Sequence, residues 1–127
     1  MSQKKYFTVT EANSFVDRLL TDIPRIQELL GSLSNDFEDV KHAQKKANLN
    51  GGSLQGGAYL EKAVLFQDMI KRLESDGCIL KGVQNGLVDF LHEREGREVY
   101  LCWRYPERKI EYWHEIDGGF AGRQKIE

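Results

Sequence analysis

A long apolar stripe near the start of the chain constrains the fold most strongly. Over residues 15–40, apolar side chains recur at steps of three or four, which is the spacing of one helix face. The capping sequence Thr8-Val9-Thr10-Glu11 precedes the stripe, with Phe7 at the position of a hydrophobic staple. The pattern predicts a long helix over residues 7–48. Pro24 leaves two alternatives, one helix kinked at the proline or two helices separated there.

A glycine-rich break and a second helix follow. Four glycines in residues 51–57 predict a loop. Residues 58–77 return to helical spacing, with Gly77 where a C-terminal glycine belongs. Two amphipathic helices joined by a loop predict an antiparallel helical hairpin. The first helix would be about 57 Å long and the second only about 28 Å, so the leading part of the stripe needs another cover.

The last third of the chain has the pattern of β-strands. Residues 87–91, 98–104 and 109–115 alternate or are rich in β-branched and aromatic side chains, and turn-like segments separate them. They predict a three-stranded antiparallel β-meander over residues 86–116, followed by a tail over residues 117–127. The chain is therefore predicted to be one α+β domain, residues 1–127, with a long helical hairpin followed by a small meander.

Charge and hydropathy argue against several classes of protein. The chain has 18 basic and 20 acidic residues and a net charge of -2, which disfavours binding to nucleic-acid phosphates. No run approaches the ~20 apolar residues that span a bilayer, and the first residues lack the features of a signal peptide. The two cysteines have no CxxC spacing. We expect a cytoplasmic protein that binds neither nucleic acid nor membrane.

A register argument addresses metal binding. If both turns of the meander contain four residues, Cys102 and His114 point to opposite faces of the sheet and cannot share an ion. We therefore expect no metal site and no cofactor. A change of one residue in the loop length would reverse this expectation.

Polar residues near Trp103 and Trp113 are the candidates for a ligand site. They are Asp89, Arg97, His114, Glu115, Asp117 and Arg123. Each has a structural alternative: a solvated strand end, a histidine satisfied by a backbone or carboxylate partner, or a surface ion pair. Cys102 is either a nucleophile or a small buried apolar residue.

Several motifs together carry a family resemblance. They are Gly86-Leu87-Val88-Asp89-Phe90, Gly96-Arg97-Glu98-Val99-Tyr100-Leu101-Cys102-Trp103, Tyr112-Trp113-His114-Glu115 and Gly119-Phe120-Ala121-Gly122-Arg123-Gln124. With them the chain resembles the bacterial Domain of Unknown Function 2203 family. The family has no established activity, so the resemblance implies a bacterial cytoplasmic origin and no mechanism.

Two hypotheses for the function follow. The first is a non-enzymatic protein-interaction or self-association module that binds through the uncovered stripe residues Phe15, Leu19 and Ile23. It would form a homo-oligomer, with a dimer favoured, or bind another protein. The second is a small enzyme or an anion- or ligand-binding protein with a polar site at the junction of sheet and helices.

Overall fold

The N-terminal segment begins at the expected cap. The computed structural model describes residues 4–50 and 55–127, and the side chains of residues 4–35 and 57–127. The first helix, α1, is Val9–Asn13. The Thr8 hydroxyl accepts a hydrogen bond from the Glu11 N–H at 3.0 Å, and the Glu11 carboxylate accepts one from the Thr8 N–H at 2.9 Å. The predicted capping box is confirmed.

The break in the first helical segment does not fall at the proline. Helix α2 is Val16–Asn50 and continues through Pro24, whereas a turn at Ser14 and Phe15 separates it from α1. The prediction of one helix over residues 7–48 is therefore corrected. The side chain of Asn13, just before the turn, accepts a hydrogen bond from the Ile110 N–H at 2.8 Å. This contact ties the helix end to a distant loop, and such a tertiary bond has no local sequence signal.

The second long helix starts earlier than expected. Helix α3 is Gln55–Ser75, so Gly56 and Gly57 belong to its first turn rather than to a loop, and Gly51 and Gly52 lie outside the described residues. Helices α2 and α3 lie side by side. Two contacts connect them: Arg18 forms an ion pair with Asp76, and the Lys62 ammonium donates to the Ser32 hydroxyl at 2.8 Å. No helix in the described part of the chain is long and apolar enough to cross a membrane.

The sheet has five strands rather than three. In chain order they are β1 (Ile79–Gly82), β2 (Leu87–Arg94), β3 (Arg97–Arg104), β4 (Tyr112–Glu115) and β5 (Gln124–Lys125), and each pairs antiparallel with its neighbour. The α+β class is confirmed. The predicted long helical hairpin followed by a three-stranded meander is corrected, because a separate helix α1 precedes the two long helices and the sheet has five strands. The predicted tail contains β5 and a short 3-10 helix, Phe120–Gly122.

The pairing of the strands differs from the one predicted on the assumption that both turns of the meander contain four residues. Glu95 and Gly96 form a two-residue turn between β2 and β3, with φ of 53° and 80°. Positive φ at both positions is the type I′ geometry that fits the twist of a β-hairpin. The β3–β4 connection runs over residues 105–111 and not 105–108, so the third strand is shorter than the predicted 109–115.

The sheet covers the stripe that seemed to lack a partner. Its inner face, defined by the buried side chains of Val88, Phe90, Leu101, Trp103 and Trp113, packs in one core with the helices. Leu19 and Ile23 are 0% and 2% exposed in this core, and the Phe15 ring lies 5.8 Å from the Phe90 ring. Leu19 and Ile23 are therefore not available as a docking surface, and Phe15 is partly buried against the same core. The oligomeric state itself stays a prediction.

The end of α3 yields a first testable prediction. The N–H groups of Gly77 and Cys78 donate to the carbonyls of Glu74 and Leu73, which is a Schellman motif with Gly77 in the left-handed position at φ 101°. A Cβ at Gly77 would lie 2.7 Å from the buried Phe7 ring. We expect Gly77→Ala to lower the free energy of unfolding by more than about 1 kcal/mol.

Gly31 is the matched control for this variant. It lies inside α2, and an added Cβ would meet nothing within 4 Å. Gly31→Ala should raise the free energy of unfolding by about 0.5–1 kcal/mol, because alanine loses less backbone entropy in a helix. Urea unfolding followed by tryptophan fluorescence measures both changes, and equal effects of the two variants would contradict the assignment.

Candidate functional site

Three neighbouring strands each contribute one buried polar side chain to the same face of the sheet. Asp89 on β2 pairs directly with Cys102 on β3, and the pairing of Tyr100 with His114 places the β4 histidine diagonally across from Cys102. The three residues are at most 2% exposed. Their ligand-type atoms, a carboxylate oxygen, a sulfur and a ring nitrogen, lie within 4.8 Å of one another. We call this group the Asp–Cys–His cluster.

The cluster corrects the predicted placement of Cys102 and His114 on opposite faces. Residues 105–111 form the connection before β4, three residues longer than the assumed turn of 105–108. Because side chains alternate along a strand, an odd change in loop length moves each β4 side chain to the other face. The argument that Cys102 and His114 cannot share a metal ion because they point to opposite faces of the sheet is therefore wrong.

The two nitrogens of His114 have different partners. Nδ1 lies 2.7 Å from the Glu115 carbonyl oxygen, and Nε2 lies 3.0 Å from Oδ2 of Asp89. A carbonyl oxygen only accepts hydrogen bonds, so Nδ1 carries the proton. Nε2 is then either a lone pair facing a protonated carboxyl or an N–H facing a carboxylate. One proton is thus shared between His114 and Asp89.

Burial governs the ionisation of the other two members. It raises the pKa of the Asp89 carboxyl, while the charge of His114 and hydrogen bonds from Cys102 and His114 act in the opposite direction. Burial also raises the pKa of the Cys102 thiol to about 12, and the neighbouring Asp89 charge adds to this rise. Without a bound metal, the Cys102 side chain is therefore a protonated thiol at neutral pH. This state argues against the nucleophile alternative, because thiol chemistry needs the thiolate.

A cavity of about 200 Å³ opens beside the cluster. Its other walls come from β1, β2 and the segment after β4, through Lys81, Leu87, Ile116, Asp117, Gly119 and Phe120. The cluster side chains point away from the inner face, which carries Val88, Leu101 and Trp113 at alternate strand positions. The site therefore lies on the outer face of the sheet and not at the predicted junction of sheet and helices.

Comparison with known proteins places the chain in a family. A protein-family model described as "Uncharacterized conserved protein (DUF2203)" matches residues 5–126. The chain belongs to this family. No curated protein and no solved structure matches the chain. The family description gives no activity, so the function of this DUF2203 member has to be argued from its site.

The remaining candidate residues of this DUF2203 protein separate into three environments. Asp117 lines the cavity. Arg97 at the start of β3 donates two hydrogen bonds to Glu115 at the end of β4, at 3.0 and 2.6 Å. Arg123 donates to both carboxylate oxygens of Glu107, at 2.8 and 2.7 Å. Arg97 and Glu115 thus form the surface ion pair that was the structural alternative, whereas the Arg123 side chain is mostly buried and also lies 3.4 Å from the Cys102 carbonyl oxygen.

Sequence reasoning missed two contributors to the site. Cys102 was considered as a metal ligand together with His114 and was rejected on the assumed register, so its membership of the cluster depends on the observed register of β4. Lys81 lies on the four-residue edge strand β1, a segment too short to show a clear alternation. Only the strand pairing brings these residues together with Asp89 and His114.

Proposed function

We propose that this DUF2203 protein binds a divalent transition metal, zinc, through Asp89, Cys102 and His114. The observation that carries the proposal is the convergence of three buried ligand atoms within 4.8 Å. Thiolate sulfur, imidazole nitrogen and carboxylate oxygen are the ligands zinc accepts in proteins. Calcium and magnesium prefer oxygen ligands only, so the cysteine selects against them.

The orientation of His114 supports the same assignment. Metal-binding histidines usually donate their second ring N–H to a carbonyl or carboxylate, which fixes the tautomer. Here Nδ1–H donates to the Glu115 carbonyl at 2.7 Å, so Nε2 is the ring nitrogen that faces Asp89 and Cys102 and binds the metal once the shared proton is lost. A metal at this point replaces the proton shared by His114 and Asp89. It also displaces the Cys102 proton, because a coordinating thiol is deprotonated.

The charges and the cavity define the kind of centre. A carboxylate and a thiolate together balance the two charges of the zinc ion. Three protein ligands leave one of four tetrahedral positions free, and the cavity beside the cluster gives that position access from outside. An open fourth position is typical of catalytic zinc centres, whereas structural centres are closed by four protein ligands. A reducing compartment such as the cytoplasm fits a centre that depends on a free cysteine.

The test is a zinc titration of protein stripped with a chelator, in competition with a chromophoric chelator. We expect one zinc ion per chain. His114→Ala should weaken binding by more than about 100-fold, since even loss of an outer partner of a ligand costs 10–100-fold. His92→Ala is the matched control, because His92 contacts the Phe7 carbonyl and is not in the cluster. Absence of stoichiometric zinc binding, or equal effects of the two variants, would refute the proposal.

Self-association is a second candidate, and a different surface favours it. Leu60 and Val64 lie one helical turn apart on α3 and are 63% and 59% exposed, although both are apolar. We propose that this pair forms a dimer contact in an interaction module, in place of the buried stripe of α2. Sedimentation velocity should show a dimer, and Leu60→Glu with Val64→Glu should give a monomer. A wild-type monomer at high micromolar concentration would rule this out.

A further inference from the structure

The cavity beside the Asp–Cys–His cluster has one cationic and one apolar side. Lys81 contributes a positive charge, and its ammonium lies 4.6 Å from the centre of the Tyr100 ring. Leu87, Ile116 and Phe120 contribute apolar surface. Ile116 and Phe120 are among the large apolar side chains that the described part of the chain leaves exposed. A ligand that fills this cavity needs an anionic group and a hydrocarbon part.

Lys81 is available to bind such an anion. Among the described residues, no carboxylate lies within ion-pair distance of its ammonium. Lys81 lines the same cavity as the three residues of the cluster. The ammonium and the free coordination position of the proposed centre therefore face the same cavity, where they can hold two oxygens of one anion.

We infer that the cavity binds a small monocarboxylic acid, with its carboxylate between the metal and Lys81 and its hydrocarbon chain against Leu87, Ile116 and Phe120. The inference rests on the proposed metal centre and names the ligand of its open position. The negative charge of Asp117 on the same walls disfavours a dianion such as phosphate. A volume of about 200 Å³ corresponds to the space of roughly six or seven waters, which suits a short-chain acid such as butyrate.

The experiment uses cobalt(II) as a coloured substitute for zinc in the full-length protein. We expect butyrate to shift the visible d–d absorption of the cobalt-loaded protein in a saturable manner. Butylamine, which has the same chain and the opposite charge, should not. Lys81→Met keeps most of the side-chain length and removes the charge, and should weaken butyrate binding by about 10-fold or more. Lys71→Met on α3, remote from this cavity, is the matched control and should leave the affinity unchanged.

The outcomes separate the two proposals. Cobalt binding with a butyrate-dependent shift that weakens in Lys81→Met supports the carboxylate site. Cobalt binding with no effect of butyrate, tighter binding of phosphate, or an unchanged affinity in Lys81→Met overturns the inference and leaves the metal centre standing. Failure of the protein to bind cobalt or zinc overturns the proposed function itself.

Discussion

Cys102→Ser is expected to abolish the near-ultraviolet thiolate-to-cobalt charge-transfer band of the cobalt-loaded protein, whereas Cys78→Ser leaves the band unchanged. The two cysteines are closely matched, because both are buried and free and burial raises the pKa of each thiol to about 12. They differ in their neighbours. Within the part of the chain that the structure describes, a carboxylate and an imidazole lie within reach of a shared ion at Cys102 and not at Cys78.

The size of this effect follows from the chemistry of the ligand. A serine hydroxyl neither ionises readily nor matches the affinity of a thiolate for borderline-soft metals. We therefore expect Cys102→Ser to lower metal affinity by more than about 100-fold, in the range of other lost metal contacts. Urea unfolding of both metal-free variants checks that they fold. A band that survives Cys102→Ser, or disappears in a folded Cys78→Ser protein, would remove Cys102 from the centre.

Leu19→Ala is expected to lower the free energy of unfolding by about 2–5 kcal/mol, the usual loss for a leucine removed from a close-packed core. Leu19 is 0% exposed and packs between the helices and the inner face of the sheet. Leu60→Ala, measured at a protein concentration low enough to keep the chain monomeric, is the matched control, because the same atoms are removed from a side chain that is 63% exposed. Its effect should be within about 0.5 kcal/mol.

Urea unfolding at several protein concentrations measures both changes and separates two explanations. If the sheet of the same chain covers Leu19, the loss in Leu19→Ala does not depend on protein concentration. If a second copy covers it, the stability of the wild-type protein rises with concentration and Leu19→Ala removes that dependence. The second result would contradict the core described above.

The sequence was a reliable guide where the deciding contacts are local. The Thr8–Glu11 capping box joins residues three positions apart, and the Gly77 terminus of α3 is set by hydrogen bonds within six residues. A capping box needs a Ser or Thr three residues before a Glu or Gln, and a Schellman motif favours a glycine after the helix. Both can therefore be recognised from the residue types alone. The resemblance of the C-terminal motifs to the DUF2203 family was confirmed over residues 5–126.

The register of β4 was beyond the reach of sequence reasoning. The residues 109–111 have strand-like character, yet Ile110 is buried in the connection and donates its N–H to the Asn13 side chain. This contact spans most of the chain, so no window of sequence contains it. Because β4 starts at Tyr112 and not at Lys109, a different set of β4 side chains shares a face with Asp89 and Cys102. The Asp–Cys–His cluster depends on this register.

The cover of the α2 stripe was missed for a related reason. Comparison of the predicted lengths of the two long helices left the N-terminal part of the apolar stripe without a partner. Strands β1 and β5, with four and two residues, were too short to be recognised as edges of a wider sheet. The buried strand residues that share the core with Leu19 and Ile23 come from β2, β3 and β4, so the predicted strands themselves cover the stripe, a contact between distant segments that no local pattern shows.

X-ray absorption spectroscopy at the zinc edge tests the central claim most directly, because it reports the ligands of the bound ion. For the wild-type protein loaded with one zinc ion, the account predicts one sulfur at about 2.3 Å together with nitrogen and oxygen ligands at about 2.0–2.2 Å. The sulfur contribution should be lost in Cys102→Ser and kept in Cys78→Ser. A first coordination shell of nitrogen and oxygen alone in the wild-type protein would contradict the assignment of Asp89, Cys102 and His114 as a metal centre.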